Sequence, residues 1–406
     1  MKQRRYLVSS ILPIAFVCSM ACQSVYADDN HRSVPFPLGK LINQQSVTCP
    51  SGAAPGAVCT HAVVTGCKDA NGNALPDEGV TIAVTQPQLG PDQRPKGTIV
   101  LHSGGAGSSF YNGAGGSIVN FASYFASQGY TTVDLAWDLG PTKQGWNVDS
   151  AGVIHNACRP ATVFDAIYKD PQAHVKGTAY CGMGSSGGSA ALGFALAYYG
   201  TTVPGHEHDT QSFLFNFVNL TNGPATARLD VACAPAQAYN NAPITNCGIT
   251  SYPSKSAIPP NTTAPVYSFP AGGNPVNAWE GTTTCGTANP PQADIDKWAR
   301  DGNVSSGPLA YQAVYNYPHT NVSFYFCGAA INNQSLAMGW FLTQKIQPRN
   351  GTNGGLAPVN CFTQCTNEKI YQDPNAVAQT ESDMLKYCVI NNRGDNGDEG
   401  EENGNS

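Results

Sequence analysis

The chain reads as an α/β protein, a mostly parallel central sheet with helices on both faces. Short apolar runs alternate with helical patterns between about residue 80 and residue 390. Residues 179–200 place an apolar run, a glycine-rich turn and a long apolar helical pattern in direct succession. Strands separated by helices pair in parallel and are buried on both faces, because each crossover lays its helix over the sheet.

In chain order, Val80–Thr85 is expected to form an early strand and Gly97–His102 a buried one. Gly116–Ser127 has amphipathic helical spacing, and Tyr130–Trp137 is the next strand. Cys158–Lys169 is expected to be helical, with Pro160 in the first turn, where its missing N–H costs nothing. Thr178–Cys181 is the following strand and Ser186–Tyr199 the helix after it. Phe213–Leu220, Val322–Cys327 and Pro358–Phe362 complete the strands, and Pro374–Val389 is a closing helix. Residues 222–306, rich in Pro, Asn, Thr and Ala, interrupt this alternation as an insertion. They are read as a cap over a site or as a disulfide-pinned surface loop. One domain then spans 28–392. The tail 393–406 carries five acids and one Arg among Gly and Asn, too polar a composition to form a core.

Residues 1–27 have the pattern of a secretory signal peptide: Lys2, Arg4 and Arg5, then apolar Tyr6–Val17, then small residues at Val25 and Ala27. The apolar stretch is too short to span a bilayer, and no later segment is long enough. Cleavage after Ala27 changes the formal charge from −6 to −9, since the segment holds three basic residues and no acid. Twelve of the fourteen cysteines remain, an even number that in an exported chain points to disulfides rather than to a metal site. Local pairs are expected between Cys49 and Cys59, between Cys233 and Cys247, and between Cys361 or Cys365 and Cys388. Neither cofactor nor metal is expected. Only 12% of residues are charged and no basic patch is present, which argues against a nucleic-acid partner. The chain is expected to act outside the cell or in the periplasm.

The chemistry-bearing residues cluster at Gly184-Ser185-Ser186-Gly187-Gly188, a G-x-S-x-G between a strand and a helix. A serine there is lifted clear of the sheet, and glycines relieve the crowding of the tight turn. Gly182-x-Gly184-x-x-Gly187 also fits a dinucleotide-binding fingerprint. Export opposes that reading, as do the strands that precede the motif. The acid expected about 20 residues on should end a strand, whereas Glu207 and Asp209 lie in a polar stretch.

A second glycine-rich segment, His102-Ser103-Gly104-Gly105-Ala106-Gly107, ends a buried strand. With the turn at Ser186 it resembles the α/β-hydrolase family, in its secreted esterase and lipase branch, over most of residues 80–390. The resemblance implies that Ser186 is a nucleophile and that the N–H of Gly187 with one from Gly104 or Gly105 forms an oxyanion hole. It implies a carboxylic ester as substrate, small or attached to a polymer. The chain departs from the family in its other catalytic residues. The family order is Ser, acid, His, yet no histidine lies beyond His319. The loops 328–333 and 363–368, where the partners belong, lack them in the expected places. Sheet direction leaves His102 and His155 at the correct edge. His102 is read as a structural residue shaping the oxyanion loop, and His155 with Asp149 as a rearranged base and acid. The chain is therefore expected to be a secreted serine hydrolase, with a catalytically inactive binding protein of the same fold as the alternative.

Overall fold

The computed structural model describes residues 36–69, 71–111, 119–139, 145–146, 155–199, 214–221, 291–293, 320–327, 355–362, 364–365 and 370–390. The signal segment, the acidic tail, Asp149 and nearly all of the 222–306 insertion lie outside the described residues.

The strands are β1 (Lys40–Val47), β2 (Val58–Thr65), β3 (Glu78–Thr85), β4 (Gly97–His102), β5 (Thr131–Trp137), β6 (Ala179–Ser185), β7 (Phe217–Thr221), β8 (Asn321–Cys327) and β9 (Gly355–Phe362). They form one sheet in the order β1-β2-β3-β5-β4-β6-β7-β8-β9. From β5 to β9 every neighbouring pair is parallel, whereas β1, β2 and β3 pair antiparallel with one another and β3 with β5. The helices are α1 (Phe121–Ser127), α2 (Cys158–Lys169), α3 (Gly187–Tyr198) and α4 (Pro374–Tyr387), with a 3₁₀ turn at Ile370–Gln372.

Successive residues of β4 point into opposite layers, as strand geometry requires. Val100 joins a core with Val133, Phe164 and Leu192, which carries α2 and α3. Ile99 and Leu101 join a core with Phe121, Met183 and Met384, which carries α1 and α4. The expected helical layers on both faces are present. Helix α3 is apolar all round and its described side chains are buried, so it lies inside the molecule rather than on it.

Several boundaries differ from the expected ones for identifiable reasons. Helix α1 begins at Phe121 because Asn120 caps it, its side-chain oxygen accepting from the Ser123 N–H at 2.8 Å. Strand β6 runs on through two glycines to Ser185, since Gly182 and Gly184 pair with Val100 and His102 of β4. Strands β1 and β2 are additions to the expected set. β1 is a polar edge strand whose ladder breaks between Ile42 and Gln45, where Asn43 has a φ of 54°. Such a bulge blunts the edge against pairing with another chain.

Among the described residues, three disulfides have both partners defined, and Cys365 is also disulfide-bonded. Cys49–Cys59 forms as expected. Cys388 does not pair with Cys361 or Cys365: it bonds Cys181 in β6, 207 residues away, because α4 returns across the sheet and ends over that strand. Cys67–Cys158 ties the end of β2 to the start of α2. Cys233 and Cys247 lie outside the described residues.

Candidate active site

Ser186 stands between the end of β6 and the start of α3, with φ 50° and ψ −114°. That conformation is disfavoured for a residue with a Cβ and costs on the order of 1–3 kcal/mol. The backbone on both sides of it is clamped. The Ser186 N–H donates to the Thr221 carbonyl at 2.8 Å, and the Ser186 carbonyl accepts from the N–H groups of Ser189 and Ala190 at 3.0 and 3.2 Å. The Ser189 hydroxyl donates to the same carbonyl at 2.6 Å.

The glycines expected around this serine are needed where they stand. A methyl group on Gly184 would come within 2.5 Å of the Gly188 carbonyl oxygen, and one on Gly188 within 1.9 Å of the His102 carbonyl oxygen. The loop after β4 is pressed against the turn in the same way. A methyl on Gly187 would lie 2.2 Å from the Gly105 carbonyl oxygen, and one on Gly104 would lie 3.1 Å from the Ser186 Cβ. Ser186, Gly187, Gly104 and Gly105 are thus brought together at the carboxyl edge of β4 and β6.

His102 lies beside this cluster with both ring nitrogens engaged. Trp137 Nε1–H can only donate, and it donates to His102 Nε2 at 3.0 Å. Nδ1 therefore carries the proton, which it donates to the Ser103 carbonyl at 3.0 Å. Burial pushes the imidazole down to about 4. His102 is a neutral strut under the glycine loop after β4 and has no free nitrogen for Ser186.

His155 is placed elsewhere. Its ring stacks on Phe36 at 5.6 Å, and Phe36 packs on Tyr198 and Tyr199. Those residues end α3, a twelve-residue helix, about 18 Å along its axis from the Ser186 end. The structure therefore does not bring His155 to Ser186; the 145–155 connection is long enough to carry the histidine away from the sheet edge. Of the other described histidines, His61 on β2 faces Asp138 at 2.9 Å, four strands from β6 and so about 19 Å away. His174 lies at the opposite sheet edge, against Thr98. Thr98 donates its hydroxyl proton to the Ala173 carbonyl, so His174 Nδ1 must donate to Thr98 and Nε2 is bare. Burial holds His174 at about 4.

A buried polar chain beneath the serine was not legible as a site in the sequence. Tyr111 donates to the Tyr371 hydroxyl at 3.1 Å, and that hydroxyl lies 2.9 Å from the Thr221 hydroxyl. Thr221 donates to Asn219, and Asn219 to the Ser323 hydroxyl, each at 2.8 Å. Thr221 also supplies the carbonyl that holds the Ser186 N–H. Burial raises both tyrosines, so the chain stays uncharged. Polar residues in mostly apolar strands, Asn219 and Thr221 of β7 above all, were the available signal.

The mixed sheet, the strained serine between β6 and α3 and the glycine loop after β4 define an α/β-hydrolase fold. No family model and no curated protein matches the chain. Among solved structures it is similar to Est1E from Butyrivibrio proteoclasticus, at 12% identity, covering 80% of this chain and 98% of that one with a TM-score of 0.42. It is also similar to acetyl xylan esterase 1 from a Thermoanaerobacterium species, at 10% identity, 84% and 87% coverage and a TM-score of 0.43. Brefeldin A esterase, described as a bacterial homologue of human hormone-sensitive lipase, matches at 12% identity, 84% and 79% coverage and a TM-score of 0.40. The strand order and the turn at Ser186, rather than these overlaps, carry the fold assignment.

Among the described residues no group of three or more His, Cys, Asp or Glu side chains is placed to hold a metal ion, and no helix is long and apolar enough to cross a membrane.

Proposed function

We propose that the protein is a secreted serine hydrolase acting on carboxylic esters, small or polymer-attached. Ser186 is the nucleophile, and the N–H groups of Gly187 and of Gly104 or Gly105 are the oxyanion donors. The observation that carries this reading is the Ser186 backbone, held at φ 50° by hydrogen bonds on both sides and packed directly against Gly104. Strain of this kind persists only where surrounding structure enforces it, and a functional serine gives it a reason. Each oxyanion donor is worth about 10²–10³ in rate. The disulfides suit export to an oxidising compartment. The base belongs to residues outside the described ones, since each of the four described histidines is engaged away from the serine hydroxyl.

That same engagement favours a second reading, in which the fold binds an ester or acid without turning it over. A fluorophosphonate probe separates the two. Labelling that maps to Ser186 and disappears in Ser186→Ala, together with p-nitrophenyl ester turnover, is the expected result. Folded protein that neither labels nor hydrolyses would leave the binding reading standing and remove the hydrolase.

A further inference from the structure

We propose that Arg159 is a positioning residue for the oxyanion loop, acting through Gly145 and Trp146. Its kinetic consequence rests on the serine-hydrolase reading; its structural consequence does not. The Arg159 side chain is 1% exposed, near the first turn of α2. A buried guanidinium is costly unless its donors are matched; here Nη1 and Nη2 gather carbonyls from two separate loops, while Nε meets no partner among the described residues. Nη1 donates to the carbonyls of Trp146 at 3.1 Å and Gly145 at 3.4 Å, while Nη2 donates to that of Pro76 at 2.5 Å. The Glu78 carboxylate stands 4.0 Å from Nη1.

Gly145 and Trp146 in turn grip the middle of the oxyanion loop. The Trp146 N–H donates to the Ala106 carbonyl at 3.3 Å. Gly145, at φ 57°, approaches so closely that a methyl there would lie 2.0 Å from the same oxygen. The Trp146 ring meets the His102 ring edge-on at 6.2 Å. A methyl on Gly107 would strike His102 at 2.7 Å, Trp137 at 2.8 Å and Trp146 at 3.3 Å. Ala106 sits between Gly105 and Gly107, so the guanidinium is two hydrogen bonds from the loop that presents the Gly104 and Gly105 amides. The contact chain runs from α2 through the β5–α2 connection into the loop after β4, elements that share no strand pairing at this point.

Arg159→Lys keeps the charge but places its donors on one nitrogen, which cannot stand at the Nη1 and Nη2 positions together. Gly145→Ala keeps Arg159 and displaces Ala106 directly. Hydrogen exchange of the full protein should show residues 103–111 exchanging at least about ten-fold faster in both variants, with 179–199 unchanged. If the protein turns over p-nitrophenyl esters, kcat should fall about 10–100-fold in both with KM within about two-fold, as for a loss confined to the transition state. Arg159→Lys with wild-type exchange in 103–111 overturns the proposal. So does exchange that rises equally across 103–111 and 179–199, which marks a merely structural arginine. Wild-type protein that neither labels at Ser186 nor hydrolyses esters removes the serine-hydrolase reading, while the exchange result still decides the role of Arg159.

Discussion

At the residue scale, the site is governed by which positions can carry a Cβ. Gly188 faces the His102 carbonyl oxygen, and Gly105 faces open space at φ 59°. Gly188→Ala should therefore cost more than about 3 kcal/mol or prevent folding, whereas Gly105→Ala should cost only the left-handed penalty of about 1–2 kcal/mol. Urea denaturation of the two variants checks the contrast. The buried imidazoles give a pH signature. His102 and His174 are both depressed from 6.5 to about 4, so their contribution to stability is fully present above pH 6.5 and is lost as pH falls through 4. Glu78 is raised to about 7 by burial, against the pull of Arg159, and works the other way: its contribution is present below 4.5 and lost as pH rises through 7. His174→Phe isolates one of these groups. Relative to wild type the variant should gain about 2 kcal/mol between pH 6.5 and pH 4, read as a shift in urea midpoints. A constant difference across that range would contradict the neutral, buried imidazole.

At the element scale, the turn between β6 and α3 is held from below by the end of β7. Thr221 supplies the carbonyl for the Ser186 N–H, and its hydroxyl is held by Asn219 and Tyr371. Removing the Tyr371 hydroxyl takes an acceptor from Tyr111 and a donor from Thr221, at about 1–3 kcal/mol. Tyr371→Phe should lose that much stability in thermal or urea unfolding. It should also speed exchange of the Ser186 amide relative to that of Leu192, which lies deeper in α3. Loss of stability without local loosening at Ser186 would confine the network to a packing role.

At the scale of the whole molecule, two covalent ties join segments that the chain order separates. Cys67–Cys158 and Cys181–Cys388 close loops of 91 and 207 residues. In the chain-entropy account they constrain the unfolded state by about 4.5 and about 5.5 kcal/mol. Cys181 and Cys388 also belong to the core under α4, so Cys181→Ala/Cys388→Ala removes both the tie and buried contacts. Its melting temperature should drop by roughly 5–10 °C, measured by calorimetry without reductant. An unchanged melting temperature would mean that noncovalent packing alone fixes α4 on the sheet.

Much of this was written locally in the sequence. Gly97–His102 and Cys158–Lys169 have the boundaries their apolar spacing predicts, because each pattern is complete within one element. The Ser186 turn and the glycine loop at 104–107 were legible for the same reason, since a tight turn needs its glycines at fixed offsets. Other features depend on residues far apart in the chain. β1 carries no alternation of its own and exists as a strand only because β2 offers it a partner. Cys388 finds Cys181 rather than a near neighbour because the return of α4 decides proximity, not sequence separation. His155 follows the expected strand and still lands at the far end of α3, since a long connection fixes where a loop begins and not where its side chains pack. Arg159 reads in sequence as one charge at a helix start, and only folding brings Pro76, Gly145 and Trp146 around it. The sequence by itself determined the layered α/β architecture and the position of the strained serine, because short-range sterics and hydrophobic period act within a few residues. The tertiary structure decided which histidines are spent, which cysteines meet and which carbonyls gather around Arg159, because those contacts exist only once the sheet has set its strands in space.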